Sequence, residues 1–236
     1  MRTPLRWAGL AAAVCAAGCG QASPAPSTSS TASTPAPAAV TASAAAATPT
    51  PSTAPAGPSC PAQATPIAVT TPQRPGTGIP AGAPADPGLA TFAVITPGVL
   101  TRSGTPNIEG FQFLRSRGWK GIVSVRTESD TDFTGFAAFG FRYQWLPVAS
   151  GEAPTDEQVQ TFLCFVRTPG NQPVDVHDNS GTERAGVFVA AWRYSAQGWS
   201  MDDALAEQAL YGTGLYPAQV AFLRHWAATH ERGVIG

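Results

Sequence analysis

Every phenylalanine and tyrosine in the chain, and every tryptophan except Trp7, lies at Phe92 or beyond, and Arg74 and Asp86 are the only charges between Trp7 and Thr101. A packed core needs large apolar side chains, so a folded domain can form only from the C-terminal part, which is a normal size for one domain. From Gly20 to about Pro87 the chain is mostly Ala, Pro, Ser and Thr and holds most of its 23 prolines. Such a composition cannot bury enough surface to offset chain entropy, so 19–87 reads as a disordered, proline-extended tether. Residues 88–236 read as the folded domain. A formal charge of −1 gives no electrostatic footprint for nucleic acid, and no run of about 18 apolar residues is present to span a membrane.

The first 18 residues read as an export signal: Arg2 and Arg6 form a short basic region, and Trp7 to Ala17 is a small-residue apolar stretch too short to cross a bilayer. The stretch ends Ala16-Ala17-Gly18-Cys19, which resembles the lipobox of bacterial lipoproteins, although Ala16 stands where that family usually has Leu. The resemblance makes Cys19 the lipidation site. It implies an exported protein, lipid-anchored at the bacterial cell envelope, whose membrane contact is made through that lipid. Cys60 and Cys164 remain after cleavage. A disulfide between them is allowed in an oxidising envelope, while the helical pattern around Cys164 favours reading it as a buried small apolar residue.

Within the domain, strand-like and helix-like runs alternate. Phe92 to Leu100 reads as a strand, and Arg102 to Pro106 as a turn before a helix that Asn107 caps and Gly118 stops. Gly121 to Val125 and Arg142 to Val148 read as strands, separated by a Phe-rich stretch. A helix follows Thr155, with Val159, Phe162, Leu163 and Val166 forming one apolar stripe. Gln172 to His177 is a strand and Glu183 to Gln197 a central helix. Ser200 with Asp203 opens another helix, and Pro217 opens the last. Strands separated by helices imply an α/β fold, a central and mainly parallel sheet with helices on both faces. Phe111, Phe113, Trp192 and Trp226 sit at helical positions and read as core.

The informative segment is Val176-His177-Asp178-Asn179-Ser180-Gly181-Thr182-Glu183-Arg184-Ala185-Gly186. A strand ends, a short loop carries Gly181, and a helix begins near Arg184. That order turns several backbone N–H groups and a helix N-terminus toward one spot, an anion site on physical grounds, and Arg184 adds a planar fork suited to phosphate oxygens. The segment resembles the signature loop of tyrosine and dual-specificity phosphatases, His-Cys-x-x-Gly-x-x-Arg-Ser/Thr-Gly, with His177, Gly181, Arg184 and Gly186 in register. Arg102-Ser103-Gly104-x-Pro106, the strand ending in Arg126, Leu146-Pro147-Val148 and Gln197-Gly198-Trp199-Ser200 look like the bacterial dual-specificity branch. The resemblance runs from Phe92 to Trp226. It implies a dual-specificity phosphatase-like fold and a phosphate-binding loop made of His177, Asn179, Ser180, Gly181, Thr182, Glu183 and Arg184.

Two departures bear on activity. The resemblance implies a nucleophilic cysteine after the loop histidine and a Ser or Thr after the arginine, and this chain has Asp178 and Ala185. A phosphate about 4 Å from a carboxylate is repelled by roughly 4 kcal/mol per charge pair at an effective dielectric of about 20. The N–H groups and Arg184 that would hold phosphate also favour the ionised acid, so Asp178 is expected to sit as an internal anion in place of substrate. The leading expectation is a pseudophosphatase that binds or scaffolds a partner, either a protein or a phosphorylated ligand. The alternative is an active phosphoesterase with Asp178 as nucleophile or metal ligand, in which Asp175 or Glu183 helps recruit Mg²⁺; no cofactor is expected otherwise. A structural envelope lipoprotein is a third reading.

Glu152, on the loop before the second helix, is the candidate general acid, with a solvated loop carboxylate as the equal alternative; Asp156 fits the first turn of a helix. The resemblance gives His177 a hydrogen-bonding role under the loop. Asp175, in a strand position, needs a partner if it faces the core, with Arg126 or Arg102 the candidates. His225 and His230 are five apart and read as surface residues. Ser180 lacks the Gly-x-Ser-x-Gly elbow of a serine hydrolase.

Overall fold

The apolar run Phe92–Leu100 is interrupted by Pro97 and Gly98, and Gly98 takes a φ of 71°. In the computed structural model this turn splits what reads as one strand into an antiparallel pair, β1 (Ala93–Thr96) and β2 (Leu100–Gly104). The expected turn at Arg102–Gly104 is therefore strand, and the reversal lies earlier because Gly98 supplies the left-handed residue. The structure describes Cys60 and residues 69–78, 88–212 and 214–235. All lie in the second of the two units of the chain, Thr53–Gly236. The export signal, Cys19 and most of the expected tether fall outside the described residues.

Asn107 accepts from the Gly110 amide at 2.8 Å and starts α1 (Ile108–Ser116). Next come β3 (Gly121–Ser124) and β4 (Arg142–Trp145), with two short 3₁₀ turns, Asp130–Asp132 and Phe136–Phe139, in the Phe-rich stretch between them. Thr155 and Gln158 form a reciprocal capping box for α2 (Asp156–Arg167). The chain continues through β5 (Val174–Asp178), α3 (Arg184–Gln197), α4 (Met201–Gln208), capped by Ser200, and α5 (Pro217–Thr229). The strand order is β1-β2-β5-β3-β4, and every pairing except β1 with β2 is parallel. The fold is the expected α/β arrangement, a mainly parallel five-stranded sheet with helices. Its central strand, β5, ends at Asp178.

Strand alternation gives the two sheet faces different contents. Leu100, Val123, Val174 and Val176 join the larger core, with Val159, Phe162 and Leu163 of α2 and the apolar side of α3. Ile122 joins Phe92, Phe111, Leu114, Trp119 and Phe136 in a smaller aromatic core on the side of α1. Thr101 and Ser103 lie opposite Asp175 and His177 in register. They occupy the same face as Ile122, so that face is partly polar.

The packed region also starts earlier than residue 88. Trp199 Nε1 donates to Val69 O, the Gln73 amide donates to Glu207 Oε1 at 2.8 Å, Gly76 N donates to Phe92 O at 2.7 Å, and Val94 N donates to Thr77 O at 2.9 Å. Residues 69–78, expected as tether, are thus laid along α4 and the outer edge of β1. Cys60 is disulfide-bonded to Cys164, with Cα atoms 4.9 Å apart across 104 residues of sequence. Cys164 is half-buried and paired, which corrects its reading as a simple core residue.

Glu207 takes a two-pronged ion pair from Arg193, at 2.6 and 2.9 Å, and both side chains have zero exposure. Arg193 also donates to Ile95 O at 3.0 Å and lies 4.4 Å from the centre of the Trp199 ring. A buried pair is costly to break from one side, because the survivor keeps its desolvation cost without its partner. Glu207→Ala is expected to lower unfolding free energy by about 3–5 kcal/mol in urea titrations. A loss below about 1 kcal/mol, the range of exposed pairs, would mean that water reaches Arg193.

Candidate functional site

Gly181 has a φ of 75°, and a Cβ placed there would lie 2.5 Å from the Gly104 amide nitrogen. Only glycine lets the loop after β5 turn this tightly against the end of β2. The consequence is a ring of inward N–H groups. Ser180 N donates to Asp178 Oδ1 at 2.8 Å, and Gly181 N donates to the same oxygen. Glu183 N and Ala185 N donate to Oδ2 at 3.2 and 3.0 Å. The carboxylate is 1% exposed, so it fills the spot on which the loop converges.

Amides that point inward leave carbonyls pointing outward, and each needs a donor. Thr105 Oγ1 donates to Asp178 O at 3.0 Å and Thr105 N to Asn179 O at 3.3 Å. Thr91 Oγ1 donates to Ser180 O at 2.5 Å. Arg102 takes Gly181 O with Nε and Nη2, at 3.1 and 2.7 Å. Thr91 itself has a φ of 51°, a left-handed conformation that β-branched residues rarely adopt, and its hydroxyl also lies 2.8 Å from Ala90 O. Arg102 is fully buried, donates to Gln208 Oε1 at 2.5 Å and lies 3.7 Å from the centre of the Tyr211 ring. Burial lowers its pKa, opposed by the nearby Tyr211 and Asp178, and burial pushes the Tyr211 phenol up to about 12.

The mouth of the loop is fastened to the segment that precedes α2. Glu183 accepts from Gly151 N at 2.5 Å, Ser150 Oγ at 2.8 Å and Gln219 Nε2 at 2.9 Å, and Gln219 also donates to Glu152 O at 3.0 Å. Arg184, 5% exposed, donates from Nη1 to Val148 O at 3.1 Å, and its Nε has no hydrogen-bond partner among the described residues. Glu152 is brought to the loop by its backbone, with its side chain on the exposed surface. Asn179 and Ser180 are exposed, and Ser180 Oγ lies 2.7 Å from Thr182 Oγ1.

His177 faces away from the ring, on the polar side of the sheet. Its Nε2 lies 2.7 Å from Asp130 Oδ2, and Asp130 receives Arg126 Nη2 at 3.0 Å. This ties the 3₁₀ turn of the Phe-rich stretch to the central strand. Asp175 shares that face, and neither expected arginine reaches it. Thr101 and Ser103 hydroxyls donate to its two oxygens at 2.7 Å each, and Trp119 Nε1 donates on to Thr101. The arginines are committed elsewhere, Arg102 on the opposite face and Arg126 to Asp130. Asp175 and Asp178 thus lie on opposite faces and Glu183 is held by three donors, so these carboxylates do not converge to hold Mg²⁺. Among the described residues, no group of three or more His, Cys, Asp or Glu side chains is placed for a metal ion. Thr91, Thr105, Asp130 and Gln208 were not expected as loop or site supports, since nothing local in the sequence marks them.

Residues 96–224 match the family model described as a DSP-PTPase phosphatase fused to NAD+ kinase. The chain belongs to this phosphatase family. It is 31% identical over 99 residues to the probable chloroplastic NAD kinase 2 of Oryza sativa subsp. japonica, a match covering 39% of this chain and 10% of that protein. It is 29% identical over 115 residues to the dual specificity protein phosphatase TpbA of Pseudomonas aeruginosa, covering 49% of this chain and 52% of that protein. The chain thus matches at most about half the length of these curated relatives. The crystal structure of TpbA superposes with a TM-score of 0.50 at 27% identity, over 61% of this chain and 91% of the other. The core catalytic domain of the PP-IP phosphatase SIW14 from S. cerevisiae shares the fold, with a TM-score of 0.51 at 23% identity over 59% and 86% of the two chains.

The phosphatase loop yields two predictions. Asp178→Ala leaves four amides around an empty spot, and its melting temperature should fall by the equivalent of about 2–4 kcal/mol. Millimolar inorganic phosphate should recover much of that loss while leaving the wild type unmoved. Equal stabilisation of both proteins in thermal melts would show that the carboxylate does not keep the anion out. The second concerns Asp175, whose pKa is raised by burial, against the Ser103 hydrogen bond, the nearby His177 and the Thr101 hydrogen bond. A folded pKa above the unfolded one gives stability that is complete below the unfolded value and lost as pH rises through the folded value. Asp175→Asn should therefore gain on the wild type in melting temperature as pH climbs from about 4 to 8. A pH-independent difference would contradict it.

Proposed function

We propose that this chain is a pseudophosphatase: a domain of phosphatase fold that binds or scaffolds a partner and does not turn over phosphate esters. The observation that carries the reading is the carboxylate of Asp178, which accepts from the amides of Ser180, Gly181, Glu183 and Ala185. A substrate dianion entering that ring would have to displace a covalently attached anion and then sit beside it. At about 4 Å each pair of like charges costs roughly 4 kcal/mol at an effective dielectric of about 20. The resemblance places a thiolate at Asp178 and a hydroxyl at Ala185, the two groups that would form and release a covalent phosphoenzyme. A carboxylate whose two oxygens each accept two N–H groups is a poor nucleophile, which weighs against the aspartate-phosphatase alternative.

The same reading places the domain outside the cytoplasm, lipid-anchored through Cys19 at the bacterial envelope. The Cys60–Cys164 disulfide supports export, because such bonds persist in oxidising compartments. The partner is then a protein or phosphorylated ligand that meets the exposed rim of the loop, Asn179, Ser180 and the segment carrying Glu152.

The deciding assay is hydrolysis of a small aryl phosphate by the full chain, with and without Mg²⁺. The wild type should show no turnover above that of Asp178→Asn. Turnover that vanishes in Asp178→Asn would overturn the reading and make Asp178 a working nucleophile. Asp178→Cys combined with Ala185→Ser should produce measurable hydrolysis, since the arginine, the glycine and the loop supports are all retained.

A further inference from the structure

The segment 69–78 is connected to the signature loop through polar contacts at two consecutive residues of α4 and its end, Glu207 and Gln208. Its Gln73 amide donates to Glu207 Oε1 at 2.8 Å, the oxygen that also takes Arg193 Nη2 at 2.6 Å. The next residue, Gln208, accepts Arg102 Nη1 at 2.5 Å, and Arg102 holds Gly181 O with two further bonds. Glu207, Gln208, Arg102 and Arg193 are each at most 1% exposed. A shift at the end of α4 therefore leaves buried charges short of partners, and the cheapest relief is movement of the groups they touch.

Among the described residues, the segment is held to the domain by backbone hydrogen bonds at Val69, Gln73, Gly76 and Thr77, made with the Trp199 indole, the Glu207 carboxylate, Phe92 O and Val94 N. Gly78 is pressed against β1, where an added Cβ would lie 2.6 Å from Val94 Cγ2. Cys60 lies nine positions before Val69 and is bonded to Cys164 on α2. That bond fixes the upstream end of the segment and keeps its effective concentration at α4 high. Both cysteine residues are part-exposed.

We propose that the Cys60–Cys164 disulfide is a redox latch: while it is closed, residues 69–78 stay docked on α4 and Arg102 is held against Gly181; once it is reduced, the segment and the signature loop loosen together. The reductant is a dithiol. One of its thiolates attacks a sulfur of the disulfide, a mixed disulfide forms, and the other cysteine leaves as a thiolate that takes a proton. The second thiol of the donor then displaces the remaining cysteine. Two electrons and two protons pass to Cys60 and Cys164, and the donor ends as a disulfide. The inference stands apart from the pseudophosphatase reading, since it concerns the loop's stability and not its chemistry.

Amide hydrogen exchange on the full chain tests it, comparing oxidised protein, protein reduced with dithiothreitol, and Cys60→Ser. Reduction and Cys60→Ser should each speed exchange at Gln73, Gly76 and Val94 at least about tenfold, followed by Ser180, Gly181, Glu183 and Ala185, with Ile122 and Val123 unchanged. Gln73→Pro deletes the amide that caps Glu207 and should loosen the same loop amides with the disulfide intact. Unchanged exchange at Gln73 and Gly76 after reduction would overturn the latch. A loosened segment with an unchanged loop would overturn the coupling, and uniform acceleration that includes Ile122 would replace both with simple destabilisation of the whole domain.

Discussion

The structure is organised around four amides that share one carboxylate. A loop with its N–H groups turned inward is electrostatically incomplete, because buried donors without an acceptor are expensive and cannot all be served by one neutral group. A loop of this kind ordinarily depends on an anion from outside. Here the anion is Asp178 of the same chain, attached at the end of the central strand, so the loop is complete at every ligand concentration. Its conformation then rests on the donors that take its outward carbonyls, supplied by Thr91, Arg102 and Thr105. These come from three positions at the β2 end of the sheet, so the loop is fixed by the fold and not by what it binds.

The sheet beneath the loop separates two kinds of polar burden. On the face of the larger core, Arg102 is a buried charge whose roles are structural: it holds a carbonyl, a glutamine and an aromatic face. On the other face the hydroxyls of Thr101 and Ser103 donate to Asp175, while His177 and Asp130 pair next to it. Hydroxyls satisfy a carboxylate's geometry but supply no opposing charge, which is why burial dominates its titration. The central strand thus carries two aspartates, Asp175 and Asp178, in contrasting surroundings. Asp178 is held by oriented amides, whereas for Asp175 the two hydroxyls and the nearby His177 do not outweigh burial.

How far this was legible in the sequence depends on whether a feature leaves a local trace. The helices did, since Asn107, Thr155 and Ser200 are caps written into consecutive residues, and Gly181 marked the loop's turn. The mainly parallel sheet followed from the alternation of strands and helices, and the loop's identity from the resemblance around His177, Arg184 and Gly186. The hairpin of β1 and β2 was missed because Phe92–Leu100 reads as one apolar strand, its reversal marked only by Pro97 and Gly98. Residues 69–78 were invisible for a different reason: they dock by main-chain hydrogen bonds, which any sequence can make, from a stretch whose composition matches the tether. The partners of Asp175 depend on which strand lies beside β5, and no residue within the strand encodes that. The Cys60–Cys164 disulfide was open in the sequence but not favoured, because the two residues are 104 apart and the helical pattern around Cys164 suits a core residue as well.

The two departures at the site also account for each other. A thiolate offers one acceptor atom, and in a loop of this shape a neighbouring hydroxyl is a useful extra donor to it. The Asp178 carboxylate offers two oxygens and gives each of them two amides, Ser180 and Gly181 on one and Glu183 and Ala185 on the other. The contribution of Ala185 comes from its backbone, which any residue there would provide. Its side chain has zero exposure and belongs to the larger core, where a hydroxyl would need a hydrogen-bond partner of its own. Once the nucleophile position holds Asp, a serine or threonine next to Arg184 has no thiolate to serve and a desolvation cost to meet, so alanine is the residue the filled loop favours.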